Sequence, residues 1–281
     1  MIVFGKTGQV ATELRKLLPT ATFLGREQAD LSDPAACYAV IMAAKPDAVI
    51  NAAAYTAVDK AEEDTVLAAL INGAAPGQMA KACAELGIPF VHISTDYVFD
   101  GQGDAPFKAD HPTAPLGAYG RTKLQGEEGV RAEAGTHAIL RTSWVFSAHG
   151  NNFVKTMLRL SETHDNLTVV ADQTGGPTSA RDIAKACVEI SKQLKTDPTK
   201  SGTYHFSGYP NVNWADFARL IFVQAGKTVT VEGIPTSAYP TPATRPCNSR
   251  LDCSMTETIF GVARPEWKDA LSACLSELET K

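Results

Sequence analysis

The stretch Ile2-Val3-Phe4-Gly5-Lys6-Thr7-Gly8-Gln9-Val10-Ala11-Thr12-Glu13-Leu14 decides the fold. Three apolar residues run into a glycine, and a second glycine follows at Gly8. Beyond it, Val10, Leu14, Leu17 and Leu18 recur at helical spacing. A strand, a glycine turn and an amphipathic helix in that order predict the phosphate-cradling first unit of a dinucleotide-binding domain. The glycines let the backbone turn tightly and approach a pyrophosphate. The helix start then offers free N–H groups and the positive end of its dipole. The spacing is G-x-x-G-x-x-A, with Ala11 at the third position, where a small residue still permits close packing. Gly5 and Gly8 are the candidate cofactor contacts here, and a plain strand-to-helix turn is the alternative.

Outward from this unit, strands and helices alternate. Strands are predicted over 22–24, 47–51, 88–95 and 137–142, and helices over 10–18, 34–44, 67–86 and 117–134. Ser32 or Asp33 caps the second helix, and Gly87 ends the third. This order predicts an α/β fold, a Rossmann-like doubly wound parallel sheet with helices on both faces. The second half is less regular. It carries strands at 168–171 and 203–206, helices at 179–194, 214–225 and 266–278, and a proline-rich loop over 234–246. Residues 1–145 are read as the dinucleotide-binding core, with elements between about 166 and 207 returning to it. Residues 146–165 and about 208–281 are read mainly as a smaller substrate-binding lobe.

Composition bounds the function. The 281 residues are 44% hydrophobic and 20% charged, which excludes a disordered chain. A net charge of -5 leaves no basic excess to draw a nucleic acid. No apolar run reaches the roughly 20 residues of a membrane span, and no signal-peptide pattern opens the sequence, so a cytoplasmic protein is expected. None of the 6 cysteines forms a C-x-x-C pair, and no two of the 6 histidines stand at i,i+4. Reduced thiols and no zinc site follow.

Three further places carry chemistry. Arg26, just past the second strand, predicts a contact to a 2′-phosphate and so NADPH over NADH; Asp30-Leu31 would flank the adenine. A solvated surface arginine is the alternative. Tyr119 and Lys123 stand at i,i+4 on one helix face, where an ammonium would lower the phenol pKa toward acid–base use. A simple helix-surface pair has the same spacing. Ser94-Thr95-Asp96-Tyr97 falls at the end of the fourth strand, where open α/β sheets bind ligands. Thr95 is expected to hydrogen-bond a substrate carbonyl, and a strand-end turn is the alternative.

Together, Gly5-x-x-Gly8, Thr95 and Tyr119-x-x-x-Lys123 resemble the extended short-chain dehydrogenase/reductases. Longer runs narrow this: Asn51-Ala52-Ala53-Ala54-Tyr55-Thr56-Ala57-Val58-Asp59-Lys60-Ala61-Glu62, Ser94 through Gly101, Arg141 through Phe146, Asp172-Gln173-x-Gly175-x-Pro177-Thr178 and Arg245-Pro246-x-Asn248-Ser249. With them, nearly the whole chain is similar to the dTDP-4-dehydrorhamnose reductase family. That resemblance implies nicotinamide-dependent reduction of the C4 ketone of a dTDP-sugar. It implies cofactor contacts at Gly8, Gln9, Val10, Asp30, Leu31, Ala54, Tyr55, Thr56, Tyr119 and Lys123, with Thr95 among the catalytic groups. It implies substrate contacts at Thr95, Asp96 and Trp144, the flat indole serving as a wall for the sugar nucleotide. It further implies a homodimer, in some members linked by Mg2+ through glutamates. Glu13 and Glu277 suit that role, but Arg181 stands where a third carboxylate is expected and argues against the metal.

Two other functions compete. A sugar-nucleotide dehydratase needs an acid pair beside the threonine, and Thr95-Asp96 is followed by Tyr97. An epimerase of the same superfamily would retain its cofactor through the reaction. A non-catalytic regulatory subunit is the rival from another class, opposed by intact Thr95, Tyr119 and Lys123.

Overall fold

The structure is a computed structural model that describes residues 1–280. The first half runs β1 (Ile2–Phe4), α1 (Gln9–Leu17), β2 (Thr22–Leu24), α2 (Pro34–Ala44), β3 (Val49–Asn51), α3 (Thr65–Ala69), α4 (Ala75–Leu86), β4 (Phe90–Thr95), α5 (Ala118–Ala132) and β5 (His137–Thr142). The second half runs β6 (Val145–Phe146), α6 (Phe153–Leu160), β7 (Asn166–Val170), β8 (Thr174–Gly175), β9 (Thr178–Ser179), α7 (Ala180–Thr196) and β10 (Gly202–His205). It ends with β11 (Val212–Asn213), α8 (Trp214–Gln224), β12 (Thr230–Ile234), β13 (Asn248–Ser249), α9 (Ser254–Phe260) and α10 (Trp267–Glu279).

Six strands form one parallel sheet in the order β2-β1-β3-β4-β5-β10. Its central strands start apolar because both faces are covered, and turn polar toward their C-terminal ends at Asn51, Ser94-Thr95 and Arg141-Thr142. On one face Val3, Leu14, Ile50, Val91, Ile183 and Cys187 form a core under α1 and α7. On the other, Phe4, Ile41, Val49, Met79, Cys83 and Phe90 form a core under α2 and α4. This is the doubly wound α/β architecture. The chain leaves β1 toward β2 and returns to the other side at β3. The order therefore reverses between β1 and β3, and a crevice opens there outside the strand ends.

Local chemistry explains the element ends. Pro34 fits the first turn of α2, and the Asp33 side chain accepts from Ala36 N at 3.1 Å. The helix expected over 67–86 spans 65–86 and contains a π turn at Leu70–Ala74. That turn carries Asn72 inward, where its amide clamps the Tyr55 backbone: Tyr55 N donates to Oδ1 at 2.8 Å, and Nδ2 donates to Tyr55 O at 3.0 Å.

The smaller lobe has its own core, built from Phe146, Val154, Phe217, Phe222, Trp267 and Leu271. The strand near 168–171 was grouped with the segment returning to the main sheet, yet β7 pairs in parallel with β12 in the lobe. Its partner was hidden because β12 is mostly exposed, with only Val231 buried, and carries Glu232 and Gly233 in place of an apolar run. Helix α7 and strand β10 do lie on the main sheet. Among the described residues no helix is long and apolar enough to cross a membrane.

Candidate functional site

The glycine turn sits at the β1–β3 crevice. Gly5 has φ +102, and a Cβ on it would lie 3.3 Å from the Ala52 and Ala53 backbone. Only glycine supplies both the backbone angle and that close approach. Gly8 caps α1 without any side-chain hydrogen bond, so the first N–H groups of a nine-residue helix face the crevice. These features fit a dinucleotide pyrophosphate. The Gln9 side chain is engaged elsewhere, its Oε1 accepting from Ser147 Oγ at 2.8 Å and Asn152 Nδ2 at 2.9 Å. The Val10 and Leu31 side chains are buried in the two cores. Arg26 is largely exposed at the end of β2, with Nε 4.0 Å from Asp30 Oδ2. The Ser32 N–H holds the Asp30 carboxyl below its ordinary pKa. Ala54, Tyr55 and Thr56 follow β3 on the other side of the crevice. Tyr55 is fixed by Asn72 and by its own hydroxyl, which donates to Asp64 Oδ2 at 2.7 Å.

The end of β4 meets the start of α5. Gly120 makes this possible, because any side chain there would drive into the Tyr97 carbonyl. Tyr119 is thereby brought against Tyr97, with ring centroids 5.4 Å apart, and within hydrogen-bonding reach of the Thr95 hydroxyl. Thr95 Oγ1 donates to Asp96 Oδ1 at 3.0 Å and accepts from Tyr97 N at 3.2 Å. Asp96 is buried, and among the described residues its Oδ2 has no hydrogen-bond partner. Burial lifts its pKa to about 6, with the Ser249 and Thr95 side chains opposing the rise.

The electrostatics of the Tyr119–Lys123 pair differ from the expectation. Burial pushes the Tyr119 phenol up to about 12, the Thr95 contact opposes this, and Asp96 adds to it. Lys123 does not lower it. Its Nζ donates to Ile93 O at 2.6 Å and faces His92 Nε2 at 3.3 Å, behind the strand end. Burial lowers its own pKa to about 8, while Glu127 opposes. Helical spacing places both residues on one face, but it does not say that a strand carbonyl will claim the ammonium end.

Comparison with known proteins agrees with this fold. The family described as RmlD substrate binding domain matches residues 1–280. A dTDP-4-dehydrorhamnose reductase of Sinorhizobium fredii is 43% identical over 279 residues, covering 96% of this chain and 94% of the relative. The crystal structure of a dTDP-4-dehydrorhamnose reductase from Clostridium acetobutylicum superposes with TM-score 0.91 at 38% identity, covering 99% of both chains. The corresponding Bacillus anthracis enzyme, solved in complex with NADP, gives TM-score 0.91 at 34% identity over 98% of both chains.

The chain belongs to the dTDP-4-dehydrorhamnose reductase family.

The Mg2+ link implied for some dTDP-4-dehydrorhamnose reductases does not fit the residues present. Glu13, His149 and Glu277 bring ligand atoms within 4.8 Å of one another. The Lys16 ammonium already lies 2.9 Å from Glu13 and 3.2 Å from Glu277, and Arg181 lines the same cleft. The cluster thus carries its own cations. Trp144 also differs from the open wall expected of it. Its indole stacks on Trp214 at 3.5 Å and 10°, so one face is taken, and its backbone has φ +49. Held against a sparsely populated backbone angle, it marks a place where the lobe meets the strand ends.

Several residues at the site escaped the sequence reading. Asn72 fixes the Tyr55 loop, and Glu62 Oε1 accepts from Ala118 N at 2.7 Å at the start of α5. Arg245 pairs with Asp59 at 2.6 Å, and its buried Nη1 has no hydrogen-bond partner among the described residues. All but Asn72 lie in runs that the family resemblance quoted whole; only their contacts separate one role from another.

Proposed function

We propose that the protein reduces the C4 ketone of dTDP-4-dehydro-6-deoxy-L-mannose with NADPH, giving dTDP-L-rhamnose. One observation carries the reading: a full-length match to reductases of this name in a chain where Thr95 and Tyr119 converge at the strand ends. NADPH, when bound, supplies the hydride. Gly5, Gly8 and the start of α1 would hold its pyrophosphate, Arg26 its 2′-phosphate, and residues 54–56 the far wall of the crevice. Lys123 would meet the ribose hydroxyls.

Tyr119 is the proton donor. With its pKa near 12 the phenol keeps its proton at neutral pH until the ketone oxygen gains charge. The developing alkoxide is a stronger base than a phenolate, so the transfer runs downhill. Thr95 offers a second hydroxyl to the same oxygen, positioned before the charge appears. Asp96 and the exposed part of Trp144 are assigned to the sugar nucleotide. The test is incubation of purified protein with NADPH and the dTDP-4-keto sugar, with product identification. Formation of dTDP-L-rhamnose supports the reading, and an untouched substrate with both NADPH and NADH rejects it.

A further inference from the structure

Behind Lys123 lies a buried chain of hydrogen-bonding groups whose roles are fixed from one end. Ala53 N donates to Asn51 Oδ1 at 3.1 Å, which settles the orientation of that amide. Asn51 Nδ2 therefore faces His92 Nδ1 at 3.2 Å as a donor, and Nδ1 must accept. A neutral imidazole that accepts at Nδ1 carries its proton on Nε2. That nitrogen lies 3.3 Å from Lys123 Nζ.

The imidazole thus presents an N–H to the lysine. An ammonium has three donors and no acceptor, whereas an uncharged amine has a lone pair. A charged Lys123 would set N–H against N–H, or force His92 into the Nδ1–H form against the Asn51 amide. Either choice leaves an unmatched donor pair among three buried side chains. The second Nζ contact, to Ile93 O at 2.6 Å, is satisfied by either form of the lysine.

We propose that Asn51 and His92 are positioning residues that hold Lys123 in place and disfavour its ammonium form in the cofactor-free protein. This deepens the reading of Lys123 as part of the reductase site and rests on it. The groups facing Lys123 from each neighbouring element agree. On α5, Glu127 favours the ammonium, but its carboxylate is already taken by Arg141 of β5 at 2.6 Å and by Ser94 of β4 at 2.6 Å. Tyr119, also on α5, stays neutral. His92 is kept neutral by its burial. Burial of Lys123 acts in the same direction as the donor mismatch. A ligand that brings acceptor oxygens to Nζ then favours the ammonium, so binding takes up a proton.

The test uses the full chain with 15N-labelled histidine and 13C-labelled lysine. Long-range 15N NMR on the wild-type protein should show His92 as a non-titrating Nε2–H tautomer between about pH 6 and 9. An Nδ1–H tautomer, or an imidazole that titrates in that range, overturns the proposal. The Lys123 Cε signal, assigned through Lys123→Met, should titrate at about 8 or below; titration near the ordinary 10.5 overturns it. In His92→Gln the amide oxygen can accept from an ammonium, and the lysine titration should rise by about one unit or more. An unchanged titration in a folded His92→Gln protein counts against the proposal. The wild-type histidine readout needs neither a variant to fold nor turnover, and the lysine titration needs no turnover, so both stand or fall separately from the reductase activity.

Discussion

Glu127 receives both arms of the Arg141 guanidinium, Nε at 2.9 Å and Nη2 at 2.6 Å, with both side chains buried beneath the strand ends. Burial alone would raise the Glu127 pKa, but Arg141 and Ser94 outweigh it and hold the carboxyl below its ordinary range. The pair ties α5, which carries Tyr119 and Lys123, to β5, and Ser94 brings in the strand that carries Thr95.

Removing one partner leaves the other charge buried. Glu127→Gln is expected to destabilise the fold by about 3–5 kcal/mol, whereas replacing Glu127 and Arg141 together by apolar residues of similar size should recover most of the loss. Denaturant unfolding of the single and double variants checks this. A single variant as stable as wild type would show that the pair braces nothing.

Asp96 predicts a pH dependence. Its folded pKa is raised to about 6 from 3.8, so its contribution to stability is fully present below pH 3.8 and is lost as the pH rises through 6. Above that range the buried charge costs on the order of 3 kcal/mol. Asp96→Asn should therefore unfold at a higher temperature than wild type near neutral pH, with the advantage shrinking as the pH falls through this window. An advantage independent of pH would show that the aspartate carries no buried charge.

The fold was legible where the signal is local. Ile2 to Leu14 state a strand, a turn and a helix through apolar spacing and two glycines, and the structure has all three. The buried polar groups were less legible. His92 and Asn51 sit inside runs that read as apolar strands, and nothing in their spacing reveals that they meet across the sheet. Trp214 lies 70 positions from the Trp144 it stacks upon, and the π turn at Leu70–Ala74 adds a residue that hydrophobic periodicity does not report. The Tyr119–Lys123 spacing was read correctly as one helix face. The carbonyl of Ile93, which engages the lysine, belongs to the backbone of another element and leaves no mark in the sequence.

The role proposed for Arg26 predicts a cofactor preference. NADPH should bind more tightly than NADH, and Arg26→Ala should erase most of the difference by weakening NADPH alone, since a charge-assisted contact to the 2′-phosphate is lost. Affinities measured by titration for both cofactors test it; a wild-type preference for NADH would contradict it.

Tyr119→Phe keeps the ring and its contact with Tyr97 while removing the proposed proton donor. Turnover should fall by roughly 100- to 10,000-fold with little change in NADPH affinity. Lys123→Met should lower cofactor affinity, since the lysine is assigned to the ribose hydroxyls, and its effect should add to that of Tyr119→Phe, because Lys123 does not set the phenol pKa. Single-turnover rates and cofactor titrations separate the two readouts. Near-wild-type turnover in Tyr119→Phe, with chemistry rate-limiting, would mean that another group gives the proton.

The central claim is that a hydride passes from the nicotinamide ring to C4 of the sugar. Reduction of the dTDP-4-keto sugar with NADPH carrying deuterium at C4 of the nicotinamide, one position at a time, followed by NMR of the product, tests it most directly. Deuterium at C4 of dTDP-L-rhamnose, from one of the two labelled cofactors only, is the predicted result. A product without deuterium from either cofactor, or with deuterium at another sugar carbon, would contradict it.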